Sequence, residues 1–304
     1  MHNVILSERT ARDIDGIVEK LLRELGHPQP PLRLEEIRDA LSLDRAYFSA
    51  TNDGVLRETV HRLKVAGKQI LKRPSLLLDV VKKCSLRALW LPDRKRILID
   101  SDIPKPKQRW NEAHEIGHSV IPWHEAMSHG DQQQTLSLVC QQQLEAEANY
   151  AAGRLLFLRD RFRQEFDGGP ICLDRLRSVS KAYGNTITTG LWRLVEGVDL
   201  PCFGLVSSHP RHTVPEGQES VRYFIRSPRF AERFGRYHAV SLFNALPQFC
   251  RPGRGPIGED DLLLTDDNGA SHVFHFETFF NSYDALTLAT HTGVYQPAVA
   301  MSSN

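Results

Sequence analysis

Residues 109–118 read RWNEAHEIGH and residues 144–156 read LEAEANYAAGRLL, and these two stretches decide what the rest of the chain has to build. In the first, His114 and His118 stand four residues apart, which puts both side chains on one face of a helix. Two imidazoles so placed can reach a single tetrahedral Zn²⁺. Glu115 follows the first histidine directly, where a carboxylate approaches an activated water without becoming a ligand, the position of a general base.

The second stretch supplies the third ligand. Glu145 and Asn149 are one helical turn apart and share a face, so Glu145 is expected to complete the metal site and Asn149 to support a ligand by a hydrogen bond from behind. Glu147 is turned about 200° away from Glu145 at about 100° per residue, and is expected to face solvent or join a salt bridge. Ala148, Ala151, Ala152 and Gly153, with Gly117 on the other helix, let two backbones approach closely, as ligand bonds of about 2 Å demand. Three protein ligands leave a fourth position for water, the pattern of a catalytic site. His124, Tyr150 and Arg109 are the nearby candidates for stabilising an oxyanion.

Working outward, Leu86–Trp90 and Arg96–Asp100 are apolar runs around Pro92-Asp93 and predict a hairpin. A helix from near Gln108 should end at Pro122, since proline cannot continue a helix from within. Met127–Thr135 reads as loop, and the alanine- and leucine-rich Leu136–Leu158 as helix. Near the N-terminus, Ile14, Ile17, Val18, Leu21, Leu22 and Leu25 have helical spacing closed by Gly26, and Leu32–Leu41 reads as a second helix. Arg57–Lys83 is a basic helical stretch, either a solvated face or a patch for nucleic acid or an acidic partner.

Beyond the second stretch, LDRLRSVSKAYG (173–184) and TTGLWRLVEG (188–197) flank a turn, in outline a helix-turn-helix but equally a packing module. After Leu200-Pro201 the texture becomes strands: Cys202–Val206, Val221–Ile225, Leu262–Leu264 and His272–Phe280, with Asp267-Asn268-Gly269 as a hairpin turn. The expected fold class is α+β, divided into a mostly helical metal-binding domain with a small sheet (1–160), a helical connecting segment (161–200) and a C-terminal α+β domain (201–304).

Composition sets outer limits. With 304 residues, 41% hydrophobic and 25% charged, the chain falls outside the disordered class and has room for more than one core. A net charge of +1 gives no global pull toward nucleic acid or anionic membrane. The opening MHNVILSERTARDID meets acidic and polar residues too early for a signal peptide or membrane span, so a cytoplasmic location without a membrane partner is expected. Five cysteines, odd in number and without a CxxC pair, argue against a disulfide framework and a cysteine zinc finger.

RWNEAHEIGH followed by LEAEANYAAGRLL resembles the ImmA/IrrE family of zinc metallopeptidases across residues 86–160. The chain departs from the family pattern in carrying Phe157-Leu158 where Met-Pro often follows the double leucine. The resemblance implies a zincin-like peptidase domain, and a zinc endopeptidase that cleaves a helix-turn-helix repressor to release stress or anti-phage genes. The run HEIGHSVIPWHE is similar to the subset paired with repressors of anti-phage operons. For the last third it implies a GAF-like sensor domain with a small-molecule activator.

Two further readings come from the residues. Arg222, Arg226, Arg229, Arg233 and Arg236 interleave with aromatic residues in the manner of single-stranded DNA binders, or else cover core aromatics with a solvated face. Cys140, between His118 and Glu145 in the chain, is a candidate inhibitory fourth metal ligand, or else a small buried hydrophobe. Against the peptidase stand a non-proteolytic zinc-containing DNA-binding regulator and a partner-binding module; the first lacks a basic recognition helix, and neither has use for Glu115.

Overall fold

The computed structural model describes residues 3–48, 88–91, 95–124, 138–214 and 217–296. The basic stretch Arg57–Lys83 and the loop Met127–Thr135 lie outside the described residues. The chain forms two compact units, one of Leu6–Arg159 and one of Met1–Ile5 with Asp160–Asn304. Both mix helix and sheet.

In the unit Leu6–Arg159, α1 (Glu8–Glu24) starts at Ser7, whose hydroxyl accepts from the Thr10 amide at 3.1 Å. It buries Ile14, Val18, Leu21 and Leu22, the apolar stripe of the sequence, and packs on α4 (Leu138–Leu156). Asp15 receives the Tyr150 hydroxyl and the Arg154 guanidinium across that contact. After α2 (Leu34–Leu41), three strands form a sheet in the order β1-β3-β2, with β1 (Asp44–Phe48) parallel and β2 (Ala88–Leu91) antiparallel to β3 (Arg96–Asp100). The β2–β3 pair matches the expected hairpin. Strand β1 has no counterpart in the sequence reading, because DRAYF shows no run of alternating apolar residues to mark it.

Helix α3 (Lys105–Val120) lies against β2 and β3 and gives way to extended backbone at Ile121, directly before Pro122. Its Glu112 is nearly buried and receives Arg38 at 2.6 Å and Arg45 at 2.9 Å. That fork ties α2 and β1 to the middle of α3.

In the other unit, α5 (Asp160–Gln164), α6 (Leu173–Ala182) and α7 (Ile187–Gly197) accompany a five-stranded antiparallel sheet of order β5-β4-β8-β7-β6. The strands are β4 (Cys202–Ser207), β5 (Val221–Arg226), β6 (Gly255–Thr265), β7 (Ser271–Phe280) and β8 (Ala285–Val294). The sequence reading lacked β8, although it is the middle strand; its threonines and His291 dilute the apolar alternation. Helix α7 packs on β4, β5 and β8, and Gly204 lets Leu191 approach to 3.0 Å of where a Cβ would stand. No residue of α7 is exposed, so this helix has no free face to lay in a DNA groove, and the pair α6–α7 is a packing module. Helix α8 (Pro228–Arg233) and the short α9 (Ala239–Phe243) complete an aromatic core of Phe203, Phe224, Phe230, Phe234, Phe274 and Phe276. No helix among the described residues is long and apolar enough to cross a membrane.

Candidate metal centre

Two helices build the site. Helix α3 presents His114 and His118 one turn apart, and α4 presents Glu145 across from them. The helices meet at Gly117 and Ala148: a Cβ on Gly117 would stand 2.7 Å from the Ala148 carbonyl oxygen, so the close approach requires glycine.

The donor atoms converge. His114 Nε2 and His118 Nε2 are 3.2 Å apart, and the Glu145 carboxylate lies 3.2 Å from the former and 3.6 Å from the latter. Two imidazoles and a carboxylate bound tetrahedrally at about 2.0–2.2 Å have donor atoms separated by about 3.3–3.5 Å. His114 faces Oε2 and His118 faces Oε1 of that carboxylate, and one donor atom from each of the three residues lies within 4.8 Å of the others, so the residues present suit a zinc-type ion. Among the described residues no other group of three or more potential ligands is gathered as closely. The Glu145 side chain is 60% exposed, so the cluster opens to solvent on the carboxylate's side, as a catalytic site requires.

Electrostatics within the cluster point the same way. Hydrogen bonds from His114 and His118 hold the Glu145 carboxyl far below the usual carboxylate range. Burial pulls the His114 imidazole down, but the facing Glu145 and the charge of Glu115 outweigh it, leaving a net upward shift. A cation is attracted where two carboxylates converge on partly buried imidazoles. Glu115 itself is buried on α3 beside His114.

Behind the ligands lie their supports. Asn149 Oδ1 meets His114 Nδ1 at 3.0 Å, the contact expected from the shared helix face. On the other ligand, His118 Nδ1 meets His124 Nδ1 at 2.9 Å, and His124 Nε2 meets Glu147 Oε2 at 2.9 Å. Trp123 Nε1 donates to the same carboxylate oxygen at 2.6 Å and Gln143 Nε2 to the other at 2.9 Å. Burial pushes Glu147 up, but the donors Trp123, Gln143 and His124 leave it below the ordinary carboxylate value. Burial is the first cause of a lowered His124 value.

Of the two expectations for Glu147, solvent-facing or salt-bridged, the structure has the paired one, with His124 Nε2 at 2.9 Å, and not the exposed one. Its rotation away from Glu145 holds, and that side of α4 is covered by Pro122–His124, where the chain becomes helical again after Ile121, leaving Glu147 5% exposed. The signal available in the sequence was Trp123-His124 directly after Pro122: two adjacent ring N–H donors, when covered, need an acceptor.

The three oxyanion candidates are engaged elsewhere. His124 stands behind His118, Tyr150 reaches Asp15 at 3.3 Å, and Arg109 donates to the Leu32 carbonyl at 2.8 Å. Cys140 falls on the first turn of α4, within the helix expected over Leu136–Leu158. The side chain of Cys140 lies outside what is described.

The arginine segment is built on buried rings. Phe224, Phe230 and Phe234 are wholly buried, as in the core-aromatic alternative of the sequence reading, and such rings offer no exposed face for a base to stack on. Arg222 pairs with Asp284 at 2.7 Å, Arg229 with Asp199 at 2.9 Å, Arg233 with Asp266 at 3.3 Å and Arg236 with Asp267 at 3.3 Å. Arg226 has its backbone clamped by Asn3 and its guanidinium over the Phe224 ring.

No curated protein matches the sequence. A solved structure described as a Mycobacterium tuberculosis transcriptional regulator superposes with a TM-score of 0.53 over 97% of this chain and 96% of that one. At 13% identity the likeness is one of fold alone. The profile of the family described as Peptidase_M78, the IrrE N-terminal-like domain, matches residues 67–185, a span that holds the three ligands, Glu115 and their supports. Over residues 67–185 the chain thus carries a domain similar to the IrrE N-terminal-like domain of Peptidase_M78.

Proposed function

We propose that the protein is a zinc-dependent endopeptidase that cleaves a helix-turn-helix transcriptional repressor and so releases stress or anti-phage genes. The observation that carries the reading is the convergence of His114, His118 and Glu145, one donor atom of each within 4.8 Å of the others, with Glu115 one residue from the first ligand. His114, His118 and Glu145 would hold the zinc. When bound, zinc polarises the scissile carbonyl and makes water acidic enough to attack near neutral pH.

Glu115 then takes the proton of the attacking water and returns it to the leaving amide nitrogen. Its burial beside His114 fixes the carboxylate against the site and keeps bulk water from competing for that proton. The exposed side of Glu145 gives an extended peptide its entry. A regulator as fold neighbour and the IrrE-type domain support a repressor as substrate.

The C-terminal unit is where we place the trigger, as a GAF-like sensor. A small molecule suits it better than single-stranded DNA, because the rings of the arginine segment are core. Cys140 as an inhibitory fourth ligand stays a proposal, for which zinc X-ray absorption showing sulfur in the resting protein is the direct check. The test of the main reading is incubation with a candidate helix-turn-helix repressor, with and without zinc chelation. Cleavage only in the zinc-replete arm is expected, and cleavage that survives chelation defeats it.

A further inference from the structure

The two histidines are supported unequally. A neutral amide, Asn149, stands behind His114, whereas behind His118 runs a chain of His124 and Glu147 that ends in a buried carboxylate. The Nε2 atom of His118 is the one facing His114 and Glu145, so as a ligand it must present a lone pair there. A neutral imidazole then carries its proton on Nδ1. That N–H donates to His124 Nδ1 at 2.9 Å, which must therefore be a bare acceptor, and His124 in turn carries its proton on Nε2 and donates to Glu147 Oε2 at 2.9 Å. Donor and acceptor bookkeeping leaves this one polarity for the chain.

The carboxylate at its end is fixed. Trp123 and Gln143 donate to its two oxygens at 2.6 and 2.9 Å, so Glu147 is held by the segment after α3 and by its own helix together. His124 is 2% exposed and Glu147 5%, so water does not substitute for either partner. A hydrogen-bonded anion behind a metal-binding imidazole orients the ring and raises its basicity.

From this we infer that Glu147, acting through His124, is a positioning residue that sets His118 in its metal-binding tautomer. The inference rests on the assignment of His118 as a metal ligand. It gives the second glutamate of LEAEAN a role distinct from that of Glu145, a support rather than a ligand, and makes the pair His124–Glu147 a single functional unit.

The test uses the full chain and zinc alone as probe. Dissociation constants are measured by competition with a chelator for wild type, Glu147→Leu, His124→Phe and the double variant. The absorption bands of the cobalt-substituted proteins report ligand geometry. Each single change is expected to weaken zinc by about 10–100-fold. The double variant should lose no more than the worse single, because both break one chain. Glu147→Gln, which keeps an acceptor and the fold, should lie between Glu147→Leu and wild type. The cobalt bands should shift in Glu147→Leu and His124→Phe, a change that a fold defect remote from the metal does not produce.

Zinc affinity within threefold of wild type in folded Glu147→Leu overturns the inference, as does additivity in the double variant. His118→Ala separates the two levels: full zinc affinity in that variant removes the ligand assignment, whereas loss there with no loss in Glu147→Leu removes the positioning role alone.

Discussion

The backbone of Gly117 on α3 lies against that of Ala148 on α4, with no room for a side chain between them. Gly117 precedes the ligand His118, and Ala148 is three residues beyond Glu145. The distance between the two halves of the metal site is thereby set by a contact that holds no metal ligand.

Gly117→Ala would place a methyl group 2.7 Å from a backbone oxygen, which no rotamer change relieves. Forcing the helices apart is expected to cost about 1–3 kcal/mol of stability and to weaken zinc binding at the same time. Urea unfolding and a zinc titration on the same preparation check this; wild-type values in both contradict it.

That contact was legible in the sequence, and so was most of the site. Gly117 and the small residues of LEAEANYAAG implied close helices, and the i, i+4 spacing brought His114 to His118 and Glu145 to Asn149's face. What local pattern could not show was what covers the far side of a helix. Glu147 is rotated away from the ligand Glu145 and is buried because Trp123 and His124, from the segment after α3, cover it. Strand β1 and the middle strand β8 were missed for a related reason: their places are decided by pairing with β3, β4 and β7, not by their own apolar alternation. The arginine segment shows the converse, since interleaved rings read the same whether they face a core or a ligand.

Glu112 is the anchor of α3. Its carboxylate takes Arg38 and Arg45 at 2.6 and 2.9 Å, and with Arg38 also largely buried, removing the anion strands a cation. Glu112→Ala is expected to cost about 3–5 kcal/mol, the scale for breaking a buried pair from one side. Chemical denaturation measures it, and a loss below about 1 kcal/mol, typical of an exposed pair, contradicts the account.

Asp266 ties the β6–β7 hairpin. One carboxylate oxygen accepts the Asn268 and Ala270 amides at 3.0 and 2.9 Å, and the other faces His272 and Arg233. The Ala270 amide is the largest cause of its lowered value, about 2. An unfolded aspartate titrates near about 3.9. Because the folded value is the lower, this contribution is complete above about pH 4 and is lost as pH falls toward 2. Stability measured from pH 6 to pH 2 should fall in that window, and Asp266→Asn should flatten the fall. An unchanged acid limb in the variant contradicts it.

On the proposed function, peptidase action comes down to Glu115, the one group of the site assigned to the reaction and not to the metal. Zinc content and cleavage of a helix-turn-helix repressor, measured side by side for wild type and Glu115→Gln, separate the two roles. The expected result is one zinc per chain in both proteins, with cleavage in the wild type and a loss of at least about 100-fold in the variant, within the range for a positioned acid–base group. Cleavage by Glu115→Gln at the wild-type rate, or a wild type that cleaves with no bound metal, contradicts the account.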